Sequence, residues 1–192
     1  GSASRAMERT VGDAGRPAEP AYGAEISASA FPLTRVPALH GRTLLEADEQ
    51  IGAPAVVVLG HELWRTRFGG DTRIIGRTVQ LGGAQSTVVG GMPAGFGFPV
   101  SHEFWVPLRV NALATAPREG PAIQVFGRLA EGVSLGAARA ELQAIGLRVA
   151  AASPSTHEHL RPRVVKYTQL FVGGEGTGQA FLVEFLFVML LL

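Results

Sequence analysis

The sequence predicts an α+β fold that leads into the beginning of a transmembrane helix. Short β-branched and aromatic runs, separated by Gly and Pro, predict strands along most of residues 24–107. A long amphipathic helix flanked by two strands is expected between residues 123 and 170. The final run, residues 181–192, is apolar except for Glu184, which does not suit an ordinary surface helix.

The composition is that of an ordinary folded domain. The 192 residues are 46% hydrophobic and 17% charged, with a formal net charge of +1, which supports one sizeable core. The Arg residues are scattered along the chain, so the sequence does not predict a nucleic-acid surface. The lack of Cys excludes disulfides and thiol chemistry.

The first third of the chain predicts an irregular segment, two strands and a short helix. Residues 1–23 have no apolar period and predict an irregular lead-in. Alternation over residues 24–31 predicts a strand, and Val56–Leu59 predicts a strand buried on both faces. A short helix follows at His61–Phe68, in which Trp64 suits core packing better than a ligand platform.

The middle third predicts a hairpin and a loop. Residues 77–81 and 85–89 are expected to be strands joined by a tight turn at Gly82 and Gly83. Residues 90–99 contain too much Gly and Pro for regular structure, and their two Phe side chains are expected to pin the loop to the core. Residues 104–106 predict a further strand.

The last third predicts a βαβ-like unit. Residues 123–129 and 163–170 are expected to be strands, and Leu135–Ala152 a helix with Ser134 as its N-cap. The Gly-rich residues 173–178 predict a flexible joint. The helix carries one apolar stripe, formed by Leu135, Ala138, Leu142, Ile145 and Val149.

The terminal run has three readings. Twelve helical residues cover roughly 18 Å, well short of the ~30 Å hydrocarbon core of a bilayer. The run is therefore a buried core helix, a terminal interface helix or a truncated membrane span, and we favour the span. Glu184 is either an intramembrane functional acid or a headgroup-level residue, and its position near the Gly-rich joint favours the headgroup level.

One serine has the spacing of a hydrolase nucleophile. Residues 132–136 match the G-x-S-x-G elbow between a strand and a helix. However, residues 128–131 separate the strand from the motif, and only Glu residues follow to orient His157 or His159. Because the Ser134 hydroxyl also suits a helix N-cap, capping is the interpretation that we favour.

Two further patterns are weak as sites. His157 and His159 could hold a metal with Glu158 beside them, but no third or fourth ligand stands nearby, so a solvated loop is the simpler interpretation. Residues 173–178 lack the Lys-Ser/Thr of a phosphate loop. His40, His61 and His102 are isolated. We therefore predict no catalytic residue, no metal ligand and no cofactor.

Several short motifs follow one another in a fixed order along the chain. They are GAPAVVVL at 52–59, LWRTRFGGD at 63–71, IGRTVQL at 75–81, TVVG at 87–90 and MPAGFGFP at 92–99, with SASAF at 27–31, VPALHGR at 36–42 and GRLAEGVS at 127–134 on the flanks. Together they make residues 24–192 resemble the MacB-like periplasmic core domain of bacterial ABC transporter permeases. Gly91 departs from the family, in which a β-branched residue commonly stands at this position.

The resemblance implies a two-lobed periplasmic core domain over residues 24–172. A split βαβ-type lobe would combine residues 24–60 with 104–172, and a β-rich lobe would be inserted at residues 61–103. Residues 173–180 would be the joint, and residues 181–192 the start of the second transmembrane helix. The chain is then expected to be a fragment of a bacterial permease.

The resemblance also implies a non-catalytic function. The domain would lie on the periplasmic side of the inner membrane and couple ATP-driven motion of membrane helices to an extracytoplasmic substrate or partner. Implied partners are a cytoplasmic ATP-binding subunit or domain, a second permease copy or half, and a periplasmic adaptor or lipoprotein. Two alternatives are a secreted or membrane-tethered serine hydrolase using Ser134, and a structural partner-binding domain of a non-transporting permease-like protein.

Overall fold

The computed structural model describes residues 1–12, 17–110, 114, 119–168 and 187–191. The chain forms two compact units, Ser2–Asn111 and Ala112–Leu192, and Gly1 groups with the second. Each unit is described by itself.

The unit Ser2–Asn111 is built mainly from strands. Its described residues contain seven strands, two α-helices and two 3₁₀ turns, Glu46–Glu49 and Thr72–Ile74. In chain order the α-helices and strands are β1 (Ser2–Gly12), β2 (Glu19–Ile26), α1 (Ala30–Thr34), β3 (His40–Gly41), β4 (Val56–Leu59), α2 (His61–Phe68), β5 (Thr78–Leu81), β6 (Ala84–Gly91) and β7 (Phe104–Pro107).

Six of these strands pair in a closed ring. β1 and β2 form an antiparallel pair that runs from Ser4 opposite Ile26 to Val11 opposite Glu19. β2 lies parallel to β7, β7 antiparallel to β4, and β4 parallel to β6. β5 pairs with both β6 and β1, which closes the ring. Each of the six strands therefore has a partner on both sides, and exposed edges are avoided.

The ring buries one face of its strands in a common core. Val57 and Leu59 of β4 alternate inward, and Leu63 of α2 and Ile74 complete the cluster. The same core includes side chains from β1, β2, β5, β6 and β7, namely Val11, Ala21, Val79, Leu81, Val88 and Phe104.

An aromatic group packs on the other face of β7. Trp105 is fully buried and lies edge-on to Phe96, with ring centroids 5.1 Å apart, and to Phe31 of α1 at 6.4 Å. Its indole Nε1 donates to the carbonyl oxygen of Phe98 at 2.6 Å. These contacts fix the Gly- and Pro-rich loop onto the sheet, as the sequence predicts.

The unit Ala112–Leu192 contains a long helix and three described strands. α3 approaches the segment before β9 so closely that a Cβ added at Gly146 would lie 2.5 Å from Pro162 Cδ. β10 lies parallel to β8 and to β9. The elements are β8 (Gln124–Arg128), α3 (Leu135–Ala152), α4 (Pro154–His157), β9 (Arg163–Lys166) and β10 (Phe187–Leu191).

Several predicted elements are confirmed. Strand Val56–Leu59 is buried along its whole length, and helices His61–Phe68 and Leu135–Ala152 have the expected bounds. Gly82 (φ 59°) and Gly83 (φ 86°) form the tight turn between β5 and β6, where positive φ at both positions favours Gly.

The irregular lead-in expected over residues 1–23 is wrong. β1 and most of β2 occupy these residues and pair over eight positions, from Ser4 to Val11 on β1. Ser2, Ser4 and Val11 are buried in β1; because the buried positions include small polar side chains, no apolar period reveals the strand. The strand expected over residues 24–31 ends at Ile26, and α1 begins at Ala30.

The terminal run differs from the helix expected over residues 181–192. Phe187–Leu191 is a strand in the structure, and residues 181–186 lie outside the described residues. Periodicity cannot separate a short apolar strand from a buried helix segment. No helix in the described part of the chain is long and apolar enough to cross a membrane.

The units also differ from the two expected lobes. β6, from the range expected to form an inserted lobe, pairs with β4, from the other lobe. The observed division follows Ser2–Asn111 and Ala112–Leu192 instead. The expected joint at residues 173–180 lies outside the described residues.

Candidate functional site

Ser134 caps α3. Its hydroxyl accepts a hydrogen bond from the Ala137 N–H at 3.1 Å, and its own backbone is extended, with φ −80° and ψ 157°. This is the geometry of an N-cap, in which the side chain satisfies one of the unpaired N–H groups of the first turn. The structure therefore gives Ser134 the capping role that the sequence analysis favoured over a nucleophile.

His157 and His159 lie at the end of a short helix. His157 is the last residue of α4 and its Nδ1 lies 2.7 Å from Thr156 Oγ1. The predicted solvated loop is thus partly helical. Over the described ranges, no three His, Cys, Asp or Glu side chains converge in a group that could hold a metal ion.

Trp64 packs between two imidazole rings. The ring centroids of His40 and His61 lie 5.2 Å and 5.6 Å from that of Trp64, and Trp64 Nε1 donates to the carbonyl oxygen of Asp71 at 3.1 Å. Trp64 packs against the core cluster, as predicted. The cavity beside it, lined by Ile74 among others, has a volume of only about 10 Å³, roughly enough for one water molecule.

A buried carboxylate organises the loop before β4. Asp48 accepts two hydrogen bonds from the Arg42 guanidinium, at 2.6 Å and 3.0 Å, and one from the Leu45 N–H at 2.8 Å. Arg109 Nε and Nη2 donate to the carbonyl oxygens of Asp48 and Pro54. These hydrogen bonds restrain the loop before β4 at several points, and the Leu45 side chain on it is 49% exposed.

These partners set the ionisation of Asp48. Burial alone would raise the pKa of its carboxyl, but the Arg42 and Leu45 hydrogen bonds and the charges of Arg42 and Arg109 outweigh burial and lower the pKa below 3.8. Sequence analysis missed this group because Arg109 stands far from Asp48 in the chain. The acidic run at Glu46–Glu49 is the only local sequence feature that points to this group.

His102 is a second buried titratable group. Its Nδ1 is buried without a hydrogen-bond partner among the described residues, and burial lowers the pKa of the imidazole below 6.5. Its backbone N–H donates to the Gly97 carbonyl oxygen at 3.0 Å, which connects this residue to the Gly- and Pro-rich loop.

The remaining candidates were Glu184 and the Gly-rich residues 173–178, which lie outside the described residues. In the described residues the structure brings Trp64, His40 and His61 together, but Ser134, His157 and His102 have separate structural contacts. The interactions of these described groups are hydrogen bonds, ion pairs and packing contacts.

The fold is that of a mixed α+β domain. A family model described as the MacB-like periplasmic core domain matches residues 2–145. The chain belongs to this family, which is a periplasmic domain of ABC transporter permeases. The match confirms the resemblance over residues 24–145; it begins at residue 2 instead of residue 24 and ends at residue 145.

Solved structures share the fold. The periplasmic region of MacB from Actinobacillus actinomycetemcomitans is 17% identical, with a TM-score of 0.54 over 81% of this chain and 68% of that chain. A domain of a putative permease protein from Porphyromonas gingivalis is 12% identical, with a TM-score of 0.51 over 79% of this chain and 68% of that one.

The extracellular domain of the noncanonic ABC-type transporter YknZ from Gram-positive bacteria is also similar. It is 21% identical, with a TM-score of 0.46, and the match covers 55% of this chain. The chain spans about half of the YknZ domain, 52%. A comparison with curated protein sequences gives no match.

Proposed function

We propose that the chain is the extracytoplasmic domain of an ABC transporter permease subunit and that it couples ATP-driven motion of membrane helices to a substrate or partner outside the cytoplasm. The observation that carries the proposal is the family match over residues 2–145. The domain itself does no chemistry in this account, because ATP is hydrolysed by a cytoplasmic subunit or domain.

The construction of the unit Ser2–Asn111 supports a mechanical function. A closed ring of strands and a close-packed core transmit displacement with little internal deformation. The loop before β4 is tied by Asp48, Arg42 and Arg109, so movement of the ring would move the loop with it. A rigid body of this kind suits hinge or rotation motions of whole domains.

The membrane attachment is part of the proposal. Residues 181–192 would form the outer half of the second transmembrane helix, and residues 173–180 would be the joint to the periplasmic core domain. Strand Phe187–Leu191 would then convert to helix in a bilayer, because a single segment in lipid must satisfy its own backbone hydrogen bonds.

The proposed partners follow from the same account. The permease would act with an ATP-binding subunit or domain and with a second permease copy or half. A periplasmic adaptor or lipoprotein would bind on the extracytoplasmic side of the inner membrane.

Cysteine labelling in intact cells tests the location. The chain has no Cys, so Ser101→Cys, at an exposed position, can be introduced into an otherwise Cys-free full-length permease. A membrane-impermeant maleimide should label it without permeabilisation. The matched control Ser86→Cys, at a position only 5% exposed, should react only after denaturation. Labelling of Ser101→Cys that requires permeabilised cells contradicts the proposal.

A further inference from the structure

Positive charge beside β9 is not neutralised by neighbouring carboxylates. Arg161 and Arg163 are exposed, and neither forms an ion pair with a described residue. Arg139 of α3 also has no carboxylate partner in this part of the chain. In the other unit five arginines, Arg5, Arg42, Arg65, Arg67 and Arg73, each pair with an Asp or Glu, whereas Arg9, Arg35 and Arg109 form no ion pair with a described residue.

Backbone contacts hold the guanidinium groups of Arg139 and Arg161 in place. Arg139 Nε donates to Val164 O at 3.0 Å, and Arg161 Nη1 donates to the carbonyl oxygens of Glu158 and Leu160 at 3.0 Å and 2.9 Å. Such bonds position an arginine without removing its charge. We call Arg139, Arg161 and Arg163 the basic edge.

The local sequence adds to the same charge. From residue 159 to residue 168 the chain contains two Arg and one Lys and no Asp or Glu. The next acidic residue is Glu175. Arg161 and Arg163 therefore lie in a stretch of one sign that begins after Glu158, and this stretch creates a local positive field.

We propose that the basic edge binds the phosphate groups of anionic lipids at the membrane surface. The inference rests on the proposed function, in which residues 181–192 enter the membrane. In that account β10 leaves its pairing with β9 when the run enters the membrane. The thirteen residues from Thr168 to that run span at most about 45 Å when extended, so the basic edge would be tethered close to the bilayer. Guanidinium groups match phosphate oxygens with paired N–H donors.

A lipid surface is favoured over an acidic protein for one reason. The stretch that carries the charge is continuous in sequence with the proposed membrane segment, so the membrane is present at high effective concentration. Each Lys or Arg near an anionic surface strengthens binding about fivefold, and added salt weakens the effect.

Vesicle partitioning of the full chain tests the proposal. Binding is measured to vesicles of phosphatidylcholine alone and of phosphatidylcholine mixed with phosphatidylglycerol, and the ratio of the two partition constants is compared between variants. Arg161→Gln/Arg163→Gln should lower the ratio about fivefold per charge removed. Arg161→Lys/Arg163→Lys should retain most of it.

The matched control removes two charges elsewhere. Arg65→Gln/Arg73→Gln changes the net charge equally at exposed positions of the other unit, 64% and 87% exposed by side chain, and should leave the ratio unchanged. An equal fall in both double variants would overturn the proposal, because net charge alone would explain it. So would self-association of Arg161→Gln/Arg163→Gln with an unchanged ratio, since charges on a strand edge also prevent strand pairing.

The two vesicle types separate this inference from the function on which it rests. Absence of binding to phosphatidylcholine alone would contradict the proposed membrane segment, which does not depend on lipid charge. Equal binding of the wild-type chain to both vesicle types would contradict phosphate binding by the basic edge, but it would not contradict the proposed membrane segment.

Discussion

One glycine determines how closely α3 lies on the segment before β9. Gly146 is the buried residue of the helix, and an added Cβ would meet both Pro162 Cδ and Pro162 Cγ at 2.5 Å. A contact below 3 Å forces the helix and the proline apart. The close approach therefore depends on the missing side chain and not on the backbone freedom of Gly.

We predict that Gly146→Ala destabilises the protein. In an open helix interior the same change stabilises by about 1 kcal/mol, but here the clash with Pro162 outweighs that gain. Gly136→Ala in α3 is the matched control, because its Cβ would meet only Ser134 Oγ at an ordinary 3.7 Å. Urea unfolding of both variants checks this, and a Gly146→Ala protein as stable as Gly136→Ala would show that the contact is not tight.

Asp48 links the stability of the first unit to pH. Its pKa is lowered in the folded chain, so the stabilisation is fully present above the unfolded value of about 3.9 and is lost as pH falls through the lower folded pKa. We predict that the free energy of unfolding drops below about pH 4, when measured by urea titration at a series of pH values.

Asp48→Asn tests the source of that acid sensitivity. The variant should lose roughly 1–3 kcal/mol at neutral pH, because the Arg42 charge remains without its carboxylate, and part of the fall in acid should disappear. Glu46→Gln, an exposed change in the same loop, should alter neither. An Asp48→Asn protein with the wild-type pH profile would rule out Asp48 as the cause.

At the scale of elements, the N-cap residue Ser134 stabilises the start of α3. Ser134→Ala should lower the free energy of unfolding by about 1 kcal/mol, because the Ala137 N–H loses its acceptor. Ser134→Asp should restore stability, since a carboxylate caps equally well. Ser155→Ala, at an exposed position of α4, is the control, and thermal unfolding followed by circular dichroism is the measurement. A stable Ser134→Ala protein would refute the capping role.

β1 is an integral strand of the ring. Val11 is 1% exposed within the core cluster, so Val11→Ala should cost roughly 1.5–3 kcal/mol. Val100→Ala removes the same atoms from a side chain that is 50% exposed and should cost little. Equal unfolding midpoints for the two variants would show that β1 is not packed as described.

Sequence patterns predict the elements whose signals are local. β4 is a run of β-branched residues, β5 and β6 flank two glycines, and α3 has both a cap and a stripe. β1 has none of these signals, because its buried positions include Ser2 and Ser4 and its stability comes from pairing with β2. Contacts between residues far apart in the chain, such as Arg109 and Asp48, produce no pattern within a single stretch of sequence.

The apolar stripe of α3 shows a further limit. Leu135, Ala138 and Leu142 are partly buried, as the predicted stripe requires. Ile145 and Val149 are wrong as stripe positions, because they are 38% and 37% exposed and Gly146 is the buried residue of the helix. Periodicity identifies which face is apolar, but the depth of burial depends on what packs against it. The prediction of the site has a similar limit. The sequence predicts the capping role of Ser134, but it does not predict the hydrogen bonds of Asp48 with Arg42 and Arg109.

At the scale of the whole molecule, the family assignment and the proposed function have different support. Membership of the MacB-like periplasmic core domain family follows from the match over residues 2–145. Coupling to ATP hydrolysis is the proposal that goes further. It requires the domain to change position, as a body, when nucleotide binds to the cytoplasmic subunit or domain.

The distance between the periplasmic core domains of two permease copies in the assembled transporter tests this coupling most directly. A spin label at Ser101→Cys, exposed at the surface, would report the separation between two permease copies by electron double resonance. We predict that trapping ATP in the full-length complex shifts this distance relative to the nucleotide-free state. Identical distance distributions in the two states, or no dipolar coupling between copies, would contradict the account.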